Sequence, residues 1–434
     1  MNNGHVVAGF ALLAALFVAS SADAAQRSVP QYCKGGTGCA GSTCPTKITA
    51  AQATVPPDAC PFEGESQSAV DIFSWNEFIA FNWPATQTCM ADTTKSILNI
   101  KKGNQGPVVW QTQMSSDDVF VASGQNPTAW CNGQNLAALF AQKPHPVMHA
   151  SKTDTSSAQN LIPLTNVISQ PTDVMAVGGV VTDQAQRWIR YERLMNQAEY
   201  GAVIGNKWYQ LSVLNSVPSI TLPTGSIEFK SAWKILNPAE IARGRYYTTL
   251  ATVYNTPDGA PSPGANPVTL GLVGLHIIHK TPTQGGFFWS TFEQVDNDRV
   301  FFNPHSKAPV NKQTAAKPYT ELNPNGTPIN APVQIKRVTP VRASPQLNSY
   351  YQKLLAGSVF ANYRLVSTQW QFGGAPQGAP PNVANIVIET YVQSVSSPGK
   401  FKSPSTGCLA CHINATTASG NTTTDHSFLF LEAK

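Results

Sequence analysis

Residues 268–280 read VTLGLVGLHIIHK, a run of aliphatic and β-branched side chains that is typical of a buried strand. Comparable runs lie on either side of it, at Ser226–Lys230, Tyr246–Asn255 and Phe287–Gln294. Helical patterns do not alternate regularly with these runs, which argues against a doubly wound parallel sheet. We therefore predict an α+β fold with a predominantly β core and peripheral helices.

Helical spacing of large apolar residues predicts the helices around this core. A first helix is expected over Ser68–Trp83, because Trp75 and Phe78 recur at helical spacing and Pro84 ends the pattern. A second is expected where Trp188, Tyr191, Met195 and Ala198 share one helical face. A third is expected near Gln346–Gly357, before a strand over Tyr363–Phe372. Further short strands are predicted at Val108–Gln111, Val119–Ala122, Val174–Thr182 and Ser219–Leu222.

The first 24 residues are predicted to be a secretory signal peptide. The apolar stretch Val6–Ala19 is too short to span a bilayer comfortably, and Ala22 and Ala24 are small residues where a signal peptidase cleaves. The stretch is not preceded by Lys or Arg, which departs from the usual pattern, and the alternative is an uncleaved anchor. We expect a periplasmic or secreted protein with no membrane span after signal cleavage.

The cysteines fall into two groups that support export. Six of the eight lie in the first third of the chain, at Cys33, Cys39, Cys44, Cys60, Cys89 and Cys131. In an exported, loop-rich region this predicts up to three disulfides, whose pairing the sequence leaves open. A metal site or free thiols are the alternatives. We divide the mature chain into a Cys-rich region with a helix at 25–150, a β-rich body at 151–340 and a C-terminal segment at 341–434.

The composition excludes several function classes. With 12% charged and 42% hydrophobic residues among 434, the chain is globular rather than disordered. Its net charge of +5 comes from scattered basic residues, and we find no nucleic-acid-binding module. Nucleotide-binding loops and a nucleophile elbow are also missing from the sequence.

Near the C-terminus the chain reads Cys408-Leu409-Ala410-Cys411-His412, a C-x-x-C-H motif. Two thiols at this spacing can add to the two vinyl groups of a porphyrin, and the next residue can place its imidazole on the iron. A zinc site, a redox-active thiol pair and a structural disulfide are the competing interpretations. We predict one covalent haem c in this C-terminal segment.

The motif resembles that of the c-type cytochromes, in which Cys408 and Cys411 match the attachment positions and His412 the proximal ligand. Short stretches such as Phe73-Ser74-Trp75-Asn76 and Asp425-His426-Ser427-Phe428 are similar to sequences in poorly characterised bacterial single-haem proteins. Small electron carriers of the group place a distal Met after the motif, whereas this chain has no Met beyond Met195.

The second axial position of the iron has several candidates, each with a structural alternative. His426 is the nearest distal candidate, although it also suits a surface position beside Asp425. Met175 is expected to be core filler. His276 and His279 point to opposite faces of one strand, so at most one should face the core. His145 and His149 could share a metal only if their segment were helical.

Carboxylates beside aromatic strands are candidate proton relays for haem chemistry, but paired structural roles are the more common outcome. They are Glu228, Glu293 and Asp296.

Together these patterns predict an exported single-haem protein that transfers electrons, as an oxidoreductase or a subunit of one. Its partners would be a redox protein and, if it is an enzyme, a small-molecule substrate. Haem catalysis of peroxidase or oxygenase type and a non-enzymatic haem sensor or binding protein are the alternatives.

Overall fold

The computed structural model describes residues 40–59, 67–103, 106–146, 189–252, 267–284, 286–298, 337, 339–371, 380, 383–388 and 408–434. Within these residues the chain forms one mixed sheet flanked by helices, which confirms the α+β class. Several predicted features lie outside the described residues: the first 24 residues, Cys33, Cys39, Cys60, His149 and the strand Val174–Thr182 with Met175.

The sheet contains eight strands, all paired in antiparallel fashion except β2 with β5. Their bounds are β1 Met114–Ser115, β2 His145–Pro146, β3 Arg190–Met195, β4 Ile227–Ile235, β5 Thr248–Thr252, β6 Val268–His279, β7 Phe288–Gln294 and β8 Tyr363–Gln369.

Strand β6, the stretch that opened the sequence analysis, is the centre of this sheet. One edge pairs with β4 along nearly its whole length, with Glu228 opposite Ile278 and Lys230 opposite His276. The other edge is shared by β5 at its start and β7 at its end, and β8 continues the sheet from β7. Because β6 is paired on both edges and covered on both faces, it reads as a continuous apolar run rather than an alternating one.

Eight α-helices surround the sheet in the described residues. They are α1 Gln67–Phe81, α2 Ser116–Val119, α3 Leu136–Phe140, α4 Gln197–Gly205, α5 Leu211–Leu214, α6 Pro238–Arg243, α7 Pro345–Leu354 and α8 Cys408–His412. Short 3₁₀ turns occur at Ala40–Ser42, Ala50–Ala53, Ile97–Asn99, Val109–Thr112, Val295–Asp298, Val359–Asn362 and Leu429–Glu432.

Helix α1 covers one face of the sheet, here called the α1 face. Its Trp75 stacks on Tyr351 of α7 at 5.0 Å between ring centroids, and its Phe78 stacks on Phe292 of β7 at 4.3 Å. All four rings are fully buried. Aromatic packing of this density explains why the predicted helices at 68–83 and 346–357 are confirmed.

Residues 408–434, here called the tail, pack on the opposite face, the tail face. Cys408, Leu409 and Phe430 belong to a buried apolar cluster with Ile278 and Trp289. The two apolar layers lie on either side of one sheet, so the tail is part of the molecule's interior packing.

Four local predictions are wrong. Tyr191 and Met195, expected in a helix, lie in strand β3, and α4 begins only at Gln197, after the Asn196 cap; Trp188 lies outside the described residues. Val108–Gln111 coincides with a 3₁₀ turn, and Val119 is the last residue of α2. Ser219–Leu222 contributes one isolated bridge, between Ser219 and Thr423, instead of a strand.

A disulfide joins Cys89 and Cys131 across 42 residues of sequence. Cys44 is also disulfide-bonded, to a partner outside the described residues. These findings confirm a disulfide in the Cys-rich region, and they fix one pairing that the sequence had left open.

None of the helices in the described residues combines the length and the apolar character that crossing a bilayer requires.

Candidate functional site

Helix α8 holds the C-x-x-C-H motif on the tail face. It is a single turn, and the Leu409 N–H donates a hydrogen bond of 2.8 Å to Gln369 Oε1 at the end of β8. Cys408 and Leu409 are buried against Ile278 and Trp289. The helix places residues 408, 411 and 412 within one turn, as the motif requires, while the side chain of Cys411 is outside the description.

The His412 ring is oriented by a backbone carbonyl of the tail. Its Nδ1 lies 2.7 Å from the carbonyl oxygen of His426. A carbonyl only accepts hydrogen bonds, so Nδ1 carries the proton and Nε2 presents a lone pair. Among the described residues, none is hydrogen-bonded to that Nε2.

Aromatic rings enclose the same imidazole. The centroid of His412 lies 4.5 Å from that of Trp289 and 4.6 Å from that of Phe428. The pKa of His412 is lowered to about 3, mainly because the ring is buried among these groups; the hydrogen bond to the His426 carbonyl opposes this shift, and the charge of Lys230 adds to it. The imidazole is therefore neutral across the physiological range.

A neutral imidazole with Nδ1–H bound to a carbonyl and a free Nε2 is the arrangement found in histidine ligands of metals and haem iron. It fits a proximal ligand that follows two thioether-forming cysteines. The described residues contain no cluster of three or more His, Cys, Asp or Glu side chains suited to a metal ion.

The placement of His426 argues against its role as the distal ligand. Its backbone carbonyl contacts the Nδ1 side of His412, whereas a distal ligand approaches the iron from beyond Nε2. Both ring nitrogens of His426 are buried without a hydrogen bond, and its Nδ1 is 3.7 Å from Asp425 Oδ1. The residue has a φ of 71°, so the loop turns sharply here to present its carbonyl to His412.

His276 and His279 lie on opposite faces of β6, as the strand period predicts, but both are buried. The expectation that at most one faces the core is wrong, because each face of the sheet is covered. His276 faces the tail, with Nε2 3.2 Å from Thr291 Oγ1. His279 faces α1, with Nδ1 2.5 Å from Glu77 Oε1.

His145 lies in β2 rather than in a helix, and it is buried beside a small polar cavity. Its Nε2 is 4.0 Å from Glu192 Oε1, and burial lowers its pKa to about 4. Asp118 and Gln113 line the same cavity. His149, its suggested partner for a metal, is outside the described residues.

Two of the three candidate proton relays have structural partners. Glu293 is fully buried between Arg337 and Arg364, and it accepts the Ile386 N–H at 2.7 Å. Asp296 forms a two-pronged ion pair with Arg245 at 3.0 Å for each bond.

Glu228 is different, because its buried partner is a second carboxyl group, that of Glu199. Glu199 is not among the candidates that the sequence suggests. Glu199 lies in the first turn of α4 and resembles an ordinary helix-starting acid, so no local signal distinguishes it.

No family model, no curated protein and no solved structure matches this chain. Inferences about its function therefore rest on the motif and on the geometry around it.

Proposed function

We propose that the protein is an exported single-haem c-type cytochrome that transfers electrons, as an oxidoreductase or within one. Cys408 and Cys411 would form the thioether bonds and His412 would be the proximal ligand. The observation that carries this proposal is the 2.7 Å contact between His412 Nδ1 and the His426 carbonyl, at the end of a C-x-x-C-H helix.

The surroundings of His412 support this role. The hydrogen bond from Nδ1–H fixes the tautomer and raises the basicity of Nε2. Contacts with Trp289 and Phe428 restrict rotation of the imidazole, so its direction is set before a metal is bound. A haem bound here would supply a one-electron redox centre at its iron.

Its partners follow from the same chemistry. A haem carrier needs a redox protein to donate or accept electrons, and a β-rich body larger than a bare carrier needs would bind a small-molecule substrate. A periplasmic or secreted location agrees with the predicted signal peptide and with the disulfide at Cys89 and Cys131, since disulfides persist in oxidising compartments.

The test is export of the full chain from a host with c-type haem maturation, followed by intact mass and visible spectra. We expect the mass of the processed chain plus one haem. Cys408→Ala and Cys411→Ala should each leave one thioether, which shifts the haem spectrum of the denatured protein. Colourless protein with the mass of the polypeptide alone, from a host that matures a control cytochrome, would overturn the proposal.

Variants at His412 and His426 test the roles that the structure suggests for these two residues. His412→Ala should change the spin state of the iron, because it removes the proximal imidazole. His426→Ala is the matched control, since its backbone carbonyl remains and the spectrum should be nearly unchanged. A spectrum that responds to His426→Ala as strongly as to His412→Ala would contradict this assignment of roles.

Carbon monoxide separates electron transfer from the two alternatives. A low-spin spectrum that carbon monoxide leaves unchanged in the reduced state indicates electron transfer. Rapid carbon monoxide binding would favour haem catalysis or gas sensing, because both need an open iron position.

A further inference from the structure

Two buried carboxyl groups meet beneath the tail. Glu199 projects from the first turn of α4, and Glu228 lies on the tail face of β4. Glu199 is fully buried and Glu228 is 6% exposed. Both oxygens of Glu199 and the Oε1 of Glu228 are buried with no hydrogen-bond partner in the described residues. The two acids lie close enough for each to shift the pKa of the other, and donation from the Ser427 hydroxyl lowers the pKa of Glu228. A helix, a strand and the tail thus converge on one pair of acids.

The charges around this pair do not neutralise two carboxylates. Asp425 faces both acids from the tail and adds a negative charge. Lys230 on β4 offsets part of the charge of Glu228, while Lys280 on β6 is already hydrogen-bonded to Asp425 at 2.5 Å.

The other charged groups nearby already form ion pairs with each other. Arg193 of β3 is bound to Glu432 of the tail at 2.7 Å. In the described residues, both oxygens of Glu199 lack any hydrogen-bond donor other than a proton held within the pair.

Two carboxylates in contact inside a protein do not both ionise readily, because burial and mutual repulsion favour the protonated form. Burial raises the pKa of Glu228 to about 7. For Glu199, burial and the neighbouring charge of Glu228 raise the pKa well above its ordinary value.

We propose that Glu199 and Glu228 share one proton at neutral pH, and that this acid pair positions the tail loop that orients His412. Glu199 holds the proton and donates to Glu228, and Glu228 accepts from Ser427. The carbonyl of the preceding residue, His426, receives the Nδ1–H of His412. Loss of the shared proton places two negative charges under Ser427 and displaces this loop.

The shared proton has a defined effect on stability. Both acids have raised pKa values in the folded state, so the folded protein holds a proton that the unfolded chain releases above about pH 4.5. This contribution to stability is present at low pH. The part from Glu228 is lost as the pH rises through about 7, and the part from Glu199 is lost as the pH rises through the raised pKa of that acid.

The direct test is infrared spectroscopy of the exported full-length protein across this pH range. We expect the C=O band of a buried protonated carboxyl at neutral pH, and its loss at higher pH. Glu199→Gln should remove that band, while an amide N–H takes the place of the shared proton and preserves the hydrogen bond. Glu240→Gln is the control, because Glu240 is paired with Lys234 and should contribute no such band.

The pH dependence of thermal unfolding is a second test of the proton shared by Glu199 and Glu228. The melting temperature of the wild-type chain should fall as the pH rises from about 5 to about 8. Glu199→Gln should flatten this dependence and melt higher than wild type at the upper pH. A wild-type chain with neither the carboxyl band nor the falling melting temperature would overturn the shared proton.

The role of the acid pair in positioning the tail loop depends on the proposed function only where the haem is used as the readout. In haem-loaded protein, the visible spectrum and reduction potential should shift over the pH range in which the carboxyl band disappears, and Glu199→Gln should abolish the shift. If the protein is colourless, the Nδ1–H resonance of His412 replaces the spectrum as the readout. A band that titrates while His412 stays unaffected would overturn the positioning role and leave the shared proton standing.

Discussion

At the scale of single residues, a buried hydrogen-bonded pair under α1 offers the sharpest stability test. His279 Nδ1 is 2.5 Å from Glu77 Oε1, and both side chains are almost wholly buried. His279→Ala leaves the Glu77 carboxyl with only the Ser290 hydroxyl, at 3.2 Å. We expect a loss of about 3–5 kcal/mol in the free energy of unfolding, measured by urea denaturation.

The exposed pair between Asp92 and Lys95 is the matched control. Its Lys95 side chain is 57% exposed, so Lys95→Ala should leave the urea midpoint unchanged. Similar losses from the two variants would mean that burial does not set the cost of breaking the pair.

Single residues also show what the sequence could and could not predict about the site. Cys408, Cys411 and His412 are recognisable from five adjacent letters, because their spacing reflects the geometry of one helical turn. The orientation of His412 depends on a carbonyl 14 residues further along the tail, and the pairing of Glu199 with Glu228 depends on how α4 meets β4. Contacts of that kind are set by tertiary packing, which local patterns do not encode.

At the scale of secondary-structure elements, the same limit explains the error at β3. Tyr191 and Met195 are four residues apart, which fits a helix, but they are also two strand periods apart. Pairing of Arg190–Met195 with β4 decides between the two. Strands β4, β6 and β7 were predictable because their apolar runs are long and rich in residues that favour sheets.

The disulfide of the Cys-rich region makes a prediction about a whole segment. Cys89 and Cys131 close a 42-residue loop that contains α2 and β1, and both have positive φ, at 62° and 56°. A loop of this length corresponds to a stabilisation of about 4 kcal/mol at most. Replacing both cysteines with serine should lower the free energy of unfolding by about 2–4 kcal/mol.

A double variant is preferable to chemical reduction, because Cys44 is also disulfide-bonded and a reductant would break its bridge as well. A single Cys131→Ser variant, compared with the double variant under the same non-reducing conditions, controls for the effect of a lone thiol. An unchanged urea midpoint in the double variant would show that the segment is held by packing alone.

At the scale of the whole molecule, the tail joins parts of the chain that the sequence divided into separate regions. The Leu211 N–H donates to the Lys434 carbonyl, and the Ile220 N–H donates to the Thr423 carbonyl, each at 3.0 Å. Strands of the sheet come from residues 114–369, so its pairing crosses the boundaries expected at 150 and 340. The regions read from composition are therefore not separate cores in the described structure.

Phe430 tests whether the tail is part of the core. It is fully buried, and its ring meets Phe120 at 5.7 Å and Trp208 at 6.3 Å in edge-on contacts. Phe430→Ala should cost about 3–5 kcal/mol in the free energy of unfolding. Met90→Ala is the control, because Met90 is 60% exposed and its loss should leave the urea midpoint nearly unchanged.

Phe430→Ala also shows whether the tail unfolds together with the sheet or separately from it. If the tail folds with the sheet, Phe430→Ala should lower one cooperative transition, followed alike by the far-ultraviolet signal and by tryptophan fluorescence. If the tail folded separately, the variant would melt residues 408–434 first and leave the sheet transition unchanged. Because the His426 carbonyl that orients His412 belongs to the tail, the first outcome means that the site is only as stable as the whole molecule.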